Sequence, residues 1–345
     1  MITLPKAHLH VHLESAVRWA TLREIASANG VRLPDGLTYG PFASNGLRFN
    51  GLRFNGLRFN GFRQFGDHNA LIRGCLRRPE DFYRIAVEFC EDEAAQGVHY
   101  VEVTFTAASH GERLGQPEMP LAAVLHGLAH GQAAYGVECR LLLDHSRRRS
   151  VDRAWQTLRL ATRYASDGVI GIGLAGEESY SLRPFVDVLE AARDAGFHLV
   201  HHAGEGCGPA SIREAITVGR AERLGHGIRI LDDDDLVAEV RERAIPLEVC
   251  PSSNVALGLV GSMARHPLAQ LRDAGLVVTL NTDIPSIVAT SLTQEYLRVR
   301  EAFGYDDTVM AELARAAIDA SFAPEATKAR LHRETDAWLG DSAPA

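Results

Sequence analysis

From about residue 80 onward, short apolar runs rich in β-branched residues alternate with longer stretches of helical period. The runs Val98–Phe105, Val137–Leu143, Gly168–Leu174, His198–His202, Arg223–Ile228, Pro246–Cys250 and Leu276–Asn281 predict strands, and Lys6–His12 ahead of them makes eight. Between them, segments such as Pro79–Gln96 and Pro184–Ala195 read as helices. Strands that are apolar on both faces and separated by helices imply parallel βαβ units. Eight such units predict an α/β fold of the closed (β/α)8, or TIM-barrel, type with extra helices; an open doubly wound sheet is the alternative. Ser291 to Leu339 reads as helical with a break at Pro324, and no linker-like segment divides the chain, so residues 1–345 are expected to form one domain.

One segment departs from this pattern. Asn45-Gly46-Leu47-Arg48-Phe49 occurs three times in tandem and is followed by the degenerate copy Asn60-Gly61-Phe62-Arg63-Gln64-Phe65. A period of five matches neither helix nor strand, and each Asn-Gly favours a turn. The 45–65 segment is therefore expected to be a tandem duplication tolerated in a surface loop, where insertions cost little. The other reading is an apolar flap over a pocket, because repeated Leu and Phe side chains are costly to leave in water.

Composition narrows the partners. Of 345 residues, 46% are apolar and 23% charged, the balance of a globular protein. The formal net charge of −8 and the absence of long Lys/Arg runs argue against a nucleic-acid partner. No stretch reaches the length of a membrane span, and no basic-then-apolar leader opens the chain. The five cysteines, Cys75, Cys90, Cys139, Cys207 and Cys250, include no pair at CxxC spacing. They fit reduced thiols in a cytoplasmic protein better than disulfides or a thiolate metal site.

The chemistry is expected where polar residues end strands. His10 and His12, two apart on the first strand, point the same way and can face one metal; His8 shares their parity but sits deeper. His202 ends the fifth strand with Glu205 three residues on, His226 lies between Gly225 and Gly227 at the end of the sixth, and Asp283 follows the eighth. In a barrel, these C-terminal ends converge on one mouth. Neutral imidazoles with one carboxylate suit Zn²⁺, with Fe²⁺, Co²⁺ and Mn²⁺ as poorer fits. A position left for water would make the site catalytic, the bound water's pKa falling to about 7.

Leu9-His10-Val11-His12-Leu13, His202-Ala203-Gly204-Glu205, Gly225-His226-Gly227 and Asn281-Thr282-Asp283 ahead of Pro285 together resemble the adenosine deaminase family of zinc aminohydrolases. Asp167–Glu178, Leu247–Asn254 and Asp319–Leu331 resemble further family segments, so the likeness covers the chain apart from the repeat. The resemblance implies one Zn²⁺ per chain on His10, His12, His202 and Asp283. It implies that Glu205 protonates the ring nitrogen beside the attacked carbon. His226 would orient and stabilise the attacking hydroxide, Asp283 would accept its proton, and the Gly176 amide would meet the opposite ring nitrogen.

Departures from the family pattern bear on the substrate. Ile284 stands where the family has a second aspartate on the purine, and Glu14-Ser15 replaces its Asp-Gly at the ribose. Losing a partner for a ring nitrogen costs about 1–3 kcal/mol. Phe62 and Phe65 fall in a region resembling the family's apolar lid helix. The sequence thus reads as a deaminase of an adenosine-like nucleoside or modified purine-like base, a small molecule. The alternatives are a related zinc amidohydrolase acting on another C–N bond, such as an N6-substituted adenine, and a non-catalytic binding paralogue.

Overall fold

A computed structural model describes residues 1–34, 47–49, 52–54 and 62–341. Eight parallel strands follow one another around a single sheet in chain order: β1 Lys6–His12, β2 Val98–Phe105, β3 Glu138–Ser146, β4 Val169–Ala175, β5 His198–Ala203, β6 Arg223–His226, β7 Leu247–Val249 and β8 Val278–Leu280. The predicted bounds of β1 and β2 coincide with those observed, and no bound of the others moves by more than three residues. The strands are buried along most of their length because helices cover the outside, as parallel sheets require.

The helices are built by amphipathic spacing and local caps. In Pro79–Ala94, Phe82, Ile85, Ala86, Phe89, Cys90 and Glu93 recur at helical spacing and are the buried face. Pro79 supplies a preset first-turn φ, and Asp81 Oδ2 accepts the backbone N–H groups of Arg77 and Arg78, both at 2.9 Å. The C-terminal region forms Leu292–Phe303, Asp307–Ala320 and Glu325–Asp341, the last beginning directly after Pro324. No described helix is long and apolar enough to cross a membrane.

The repeat corrects one expectation. Leu47–Phe49 pairs antiparallel with Leu52–Phe54, so two of its copies do form short strands. Each paired segment is the same Leu-Arg-Phe triplet of successive copies, with Leu47 opposite Phe54 and Phe49 opposite Leu52. The rest of the repeat, including Asn45, Gly46 and residues 55–61, lies outside the described residues.

Closure of the barrel is achieved differently from its other strand junctions. The backbones of β8 and β1 meet through one parallel bridge, Val11 to Asp283, with His12 N–H donating to Asp283 O at 2.9 Å and Asp283 N–H to His10 O at 3.0 Å. Below that bridge the Asn281 side chain takes the place of a strand partner. Its Oδ1 accepts the N–H groups of Leu9 at 2.8 Å and His10 at 3.0 Å, while Nδ2 donates to Thr279 Oγ1 at 2.9 Å. Asn281 is fully buried, so no water can replace it. Asn281→Ala leaves two buried backbone donors without acceptors and is expected to lower stability by roughly 2–4 kcal/mol. Chemical denaturation would show this as a lower midpoint; an unchanged midpoint would mean that the seam closes without the side chain.

Candidate active site

The seam brings Asp283 against the histidines of β1. His10 Nε2 lies 3.6 Å and His12 Nε2 3.3 Å from Asp283 Oδ1, and His12 Nε2 lies 3.2 Å from His202 Nε2. One potential ligand atom each from His10, His202, His226 and Asp283 falls within 4.8 Å of the others. Strand ends β1, β5, β6 and β8 thus deliver five side chains to one point. His8 does not join them. A register irregularity separates it from Val11, and its Nδ1 and Nε2 lie 2.9 Å from Glu93 Oε2 and 3.0 Å from Thr282 Oγ1.

Two of the cluster's residues are held in the left-handed backbone region, His226 at φ 67° and Asp283 at φ 61°. Such conformations cost of order 1–3 kcal/mol when a side chain is present, and persist where surrounding contacts over-determine them. Gly225 is small for a visible reason, since a Cβ there would lie 2.7 Å from His10 Cε1.

The hydrogen-bond network fixes which nitrogen faces the centre. His10 Nδ1 donates to Glu248 Oε2 at 2.8 Å, leaving Nε2 buried without a hydrogen-bond partner and aimed at Asp283. Glu248 is itself held by Arg223 Nε at 2.7 Å, and Arg223 also grips Glu102 and donates to Ala320 O at 2.9 Å. Burial disfavours the Glu248 charge, yet Arg223 and His10 hold its carboxyl below the usual carboxylate range. Burial likewise disfavours a charged His10, but Asp283 and Glu248 push its pKa up to about 10. Two carboxylates therefore demand a cation at this imidazole, and a metal ion can take the proton's place.

His226 is wired the opposite way. Leu268 N–H donates to His266 Nδ1 at 3.2 Å, so His266 Nε2 carries a proton and donates it to Asn254 Oδ1 at 3.1 Å. That turns the Asn254 amide nitrogen towards His226 Nδ1, 3.4 Å away. Burial pushes both imidazoles down to about 3, keeping them neutral. The inferred tautomer places a proton on His226 Nε2, making it a donor into the cavity.

Glu205 completes the centre, its Oε1 3.6 Å from His226 Nε2. Burial, with Asp283 and Glu178 nearby, pushes its carboxyl well above the ordinary range. Its loop is clamped by Glu178, whose oxygens accept the N–H groups of Gly204 at 2.7 Å, Glu205 at 2.8 Å and Gly206 at 2.9 Å, and the Ser211 hydroxyl at 2.6 Å. Ser253 Oγ donates to Asp283 Oδ2 at 2.5 Å.

These groups open into a cavity of about 600 Å³ lined also by Glu14, Asp144, Gly176 and Tyr180. Gly176 adopts φ +88°, which favours glycine. Ser15 and Ile284 are buried and do not line the cavity. Phe62 and Phe65 lie at the start of the helix Phe62–Cys75, but their side chains fall outside the described residues. Sequence reasoning missed Glu248, Arg223, Glu102, Glu178, Ser253 and Asn254. An acid inside the apolar run Leu247-Glu248-Val249 was the one available signal for this network.

The donor set fits a divalent metal ion. Its imidazoles are neutral or balanced by carboxylates, an orphaned buried nitrogen faces the centre, and the His10–Glu248 pair has the carboxylate–imidazole form that orients metal ligands.

The comparisons agree with this geometry. A family model described as adenosine deaminase matches residues 5–338. A Streptomyces coelicolor protein named putative adenosine/adenine deaminase is 36% identical over 339 residues, covering 97% of each chain. The crystal structure of adenine deaminase from Arthrobacter aurescens superposes with a TM-score of 0.87 at 28% identity, covering 97% of this chain and 99% of that one. An amidohydrolase from Burkholderia ambifaria with bound Zn superposes with a TM-score of 0.85 at 26% identity, covering 99% of this chain and 93% of that one.

Glu248→Gln is expected to weaken metal binding about 10- to 100-fold. Gly225→Ala, which forces His10 aside, should lower affinity in the same direction. Co²⁺ titration followed by its visible absorption checks both; wild-type affinity in Glu248→Gln would mean that Glu248 does not orient His10.

Proposed function

The chain belongs to the adenosine deaminase family, and on that premise we propose that it hydrolytically removes the amino group of an adenosine-like nucleoside or modified purine base, releasing ammonia. One zinc ion is assigned to His10, His12, His202 and Asp283, and His226 is left out of the ligand set. The proton inferred on His226 Nε2 supports that division, since a protonated nitrogen cannot ligate. When bound, the zinc supplies Lewis-acid activation of water.

The chain's own residues then divide the proton work. Glu205 enters protonated and donates to the ring nitrogen beside the amine-bearing carbon, which makes that carbon electrophilic. The Gly176 amide holds the opposite ring nitrogen and fixes the ring plane. Asp283, which His10 holds ionised despite burial, accepts a proton from the attacking water. His226 donates from Nε2 to the oxygen as negative charge develops on it. Addition at the carbon is followed by transfer of the proton held on Asp283 to the amino nitrogen, which leaves as ammonia. The observation carrying this reading is the buried Glu205 carboxyl set 3.6 Å from His226 Nε2, beside the unpartnered Nε2 of His10.

The test is ammonia release by zinc-loaded protein, followed in the ultraviolet, over adenosine, 2′-deoxyadenosine, adenine, a 7-deaza analogue and an N6-substituted adenine. Glu205→Ala should lower kcat by about 10²- to 10⁴-fold. Chelation should abolish turnover and added Zn²⁺ restore it. Because Glu205 must carry its proton, kcat should fall as pH rises through its raised pKa. Amine release from the N6-substituted compound alone would move the reading to another C–N bond, and silence across the panel would overturn deamination.

A further inference from the structure

The outer layer of helices carries metal-capable side chains that the catalytic centre leaves unused. His126 and His130 lie four residues apart on the helix Met119–Tyr135, in the crossover between β2 and β3, and both are exposed. Residues at that spacing project from one helical face, and paired histidines so placed can close on one ion. Neither lines the catalytic cavity.

The pair stands on a rigid footing. Leu121, Val124, Leu125 and Leu128 form the buried face of the helix, which sets its rotation and turns the two histidines outward. Each histidine is followed by a glycine at a close approach of two helices. A Cβ on Gly127 would lie 2.5 Å from Tyr83 O and 2.7 Å from Ala86 Cβ, and one on Gly131 would lie 2.5 Å from Cys90 Cβ. That approach sets the Tyr83 ring, on the helix Pro79–Ala94, against both imidazoles, with ring centres 5.1 Å from His126 and 5.8 Å from His130. The Tyr83 hydroxyl is hydrogen-bonded to His130 Nδ1. Among the described residues, no hydrogen bond engages His126 or the Nε2 of His130.

The chemistry of these groups selects the ligand. With Nδ1 tied to a hydroxyl, His130 has Nε2 as its free nitrogen, and an ion there would fix the tautomer in which Nδ1–H donates to Tyr83 Oη. A partner of this kind on the far nitrogen is what orients a metal-ligating imidazole. Imidazole nitrogens suit Zn²⁺, Ni²⁺ and Cu²⁺, whereas Ca²⁺ and Mg²⁺ take oxygen ligands. Exposure leaves the remaining coordination positions to water.

We propose that His126 and His130 form a second metal site, separate from the catalytic centre, for a late first-row divalent ion, and that Tyr83 orients His130 within it. An ion held across one helical turn binds the folded chain in preference to the unfolded one, and so stabilises it.

Its test is equilibrium dialysis of the zinc-loaded enzyme against increasing Zn²⁺ near neutral pH, with metal content measured per chain. Wild type should take up one further equivalent, and its denaturation midpoint should rise as that equivalent binds. His126→Ala and His130→Ala should each lose the second equivalent and keep the first; alanine at exposed helix positions favours the helix, so both variants should fold. Tyr83→Phe should weaken the second equivalent about 10- to 100-fold. Wild-type affinity in Tyr83→Phe would overturn the orienting role. A single equivalent in wild type, or a second one retained when both histidines are replaced by alanine, would overturn the site. Because metal content is the readout, the outcome stands whether or not the deaminase reading survives its own panel.

Discussion

The junction between the last strand and the first carries the site. Around the rest of the barrel, neighbouring strands are joined by backbone ladders, but here the backbones meet at Val11 and Asp283 and the Asn281 side chain supplies the other acceptor. The bonds that close the barrel are made by residues that also form the centre: His12 N–H reaches Asp283 O, and Asp283 N–H reaches His10 O. Asp283 therefore cannot shift relative to His10 and His12 without opening the seam. The left-handed φ of Asp283 is maintained by this double anchorage.

A second constraint is electrostatic and runs through the barrel interior. Arg223 is fully buried and is balanced by Glu102 and Glu248, while its guanidinium also lies 3.9 Å from the Phe322 ring centre. Buried ion pairs are weak contributors to stability, but they hold geometry, because losing either partner strands a charge. Here the geometry held is that of His10. Glu248 accepts the Nδ1–H of His10 and leaves Nε2 free, whereas the His266–Asn254 relay does the reverse at His226. Two imidazoles 4.8 Å apart are thus set to opposite roles by partners lying outside the cavity.

The acid is controlled in the same manner. Glu178 gathers three consecutive backbone N–H groups and a hydroxyl, which fixes the loop after β5, and its charge helps to keep the Glu205 proton in place. Burial and like charge both oppose ionisation of a carboxylic acid at such a position, which raises its pKa.

Strand positions, the parallel order and the convergence of His10, His12, His202, His226 and Asp283 were legible in the chain, because strand periodicity and the position of a polar residue at a strand end are local properties. The paired copies of the repeat were not legible from a five-residue period alone, since pairing depends on a neighbouring segment. Nor was the placement of Ile284 in the core and away from the cavity, because which side of the backbone a residue faces after Asp283 depends on that residue's left-handed turn. The networks of Glu248, Glu178 and Asn254 join residues 238, 26 or more, and 28 positions apart in sequence. The sequence by itself determined which chemical groups reach the barrel mouth. Tertiary structure alone decided which nitrogen of each imidazole carries the proton, because that is set by hydrogen-bond partners that only folding brings together.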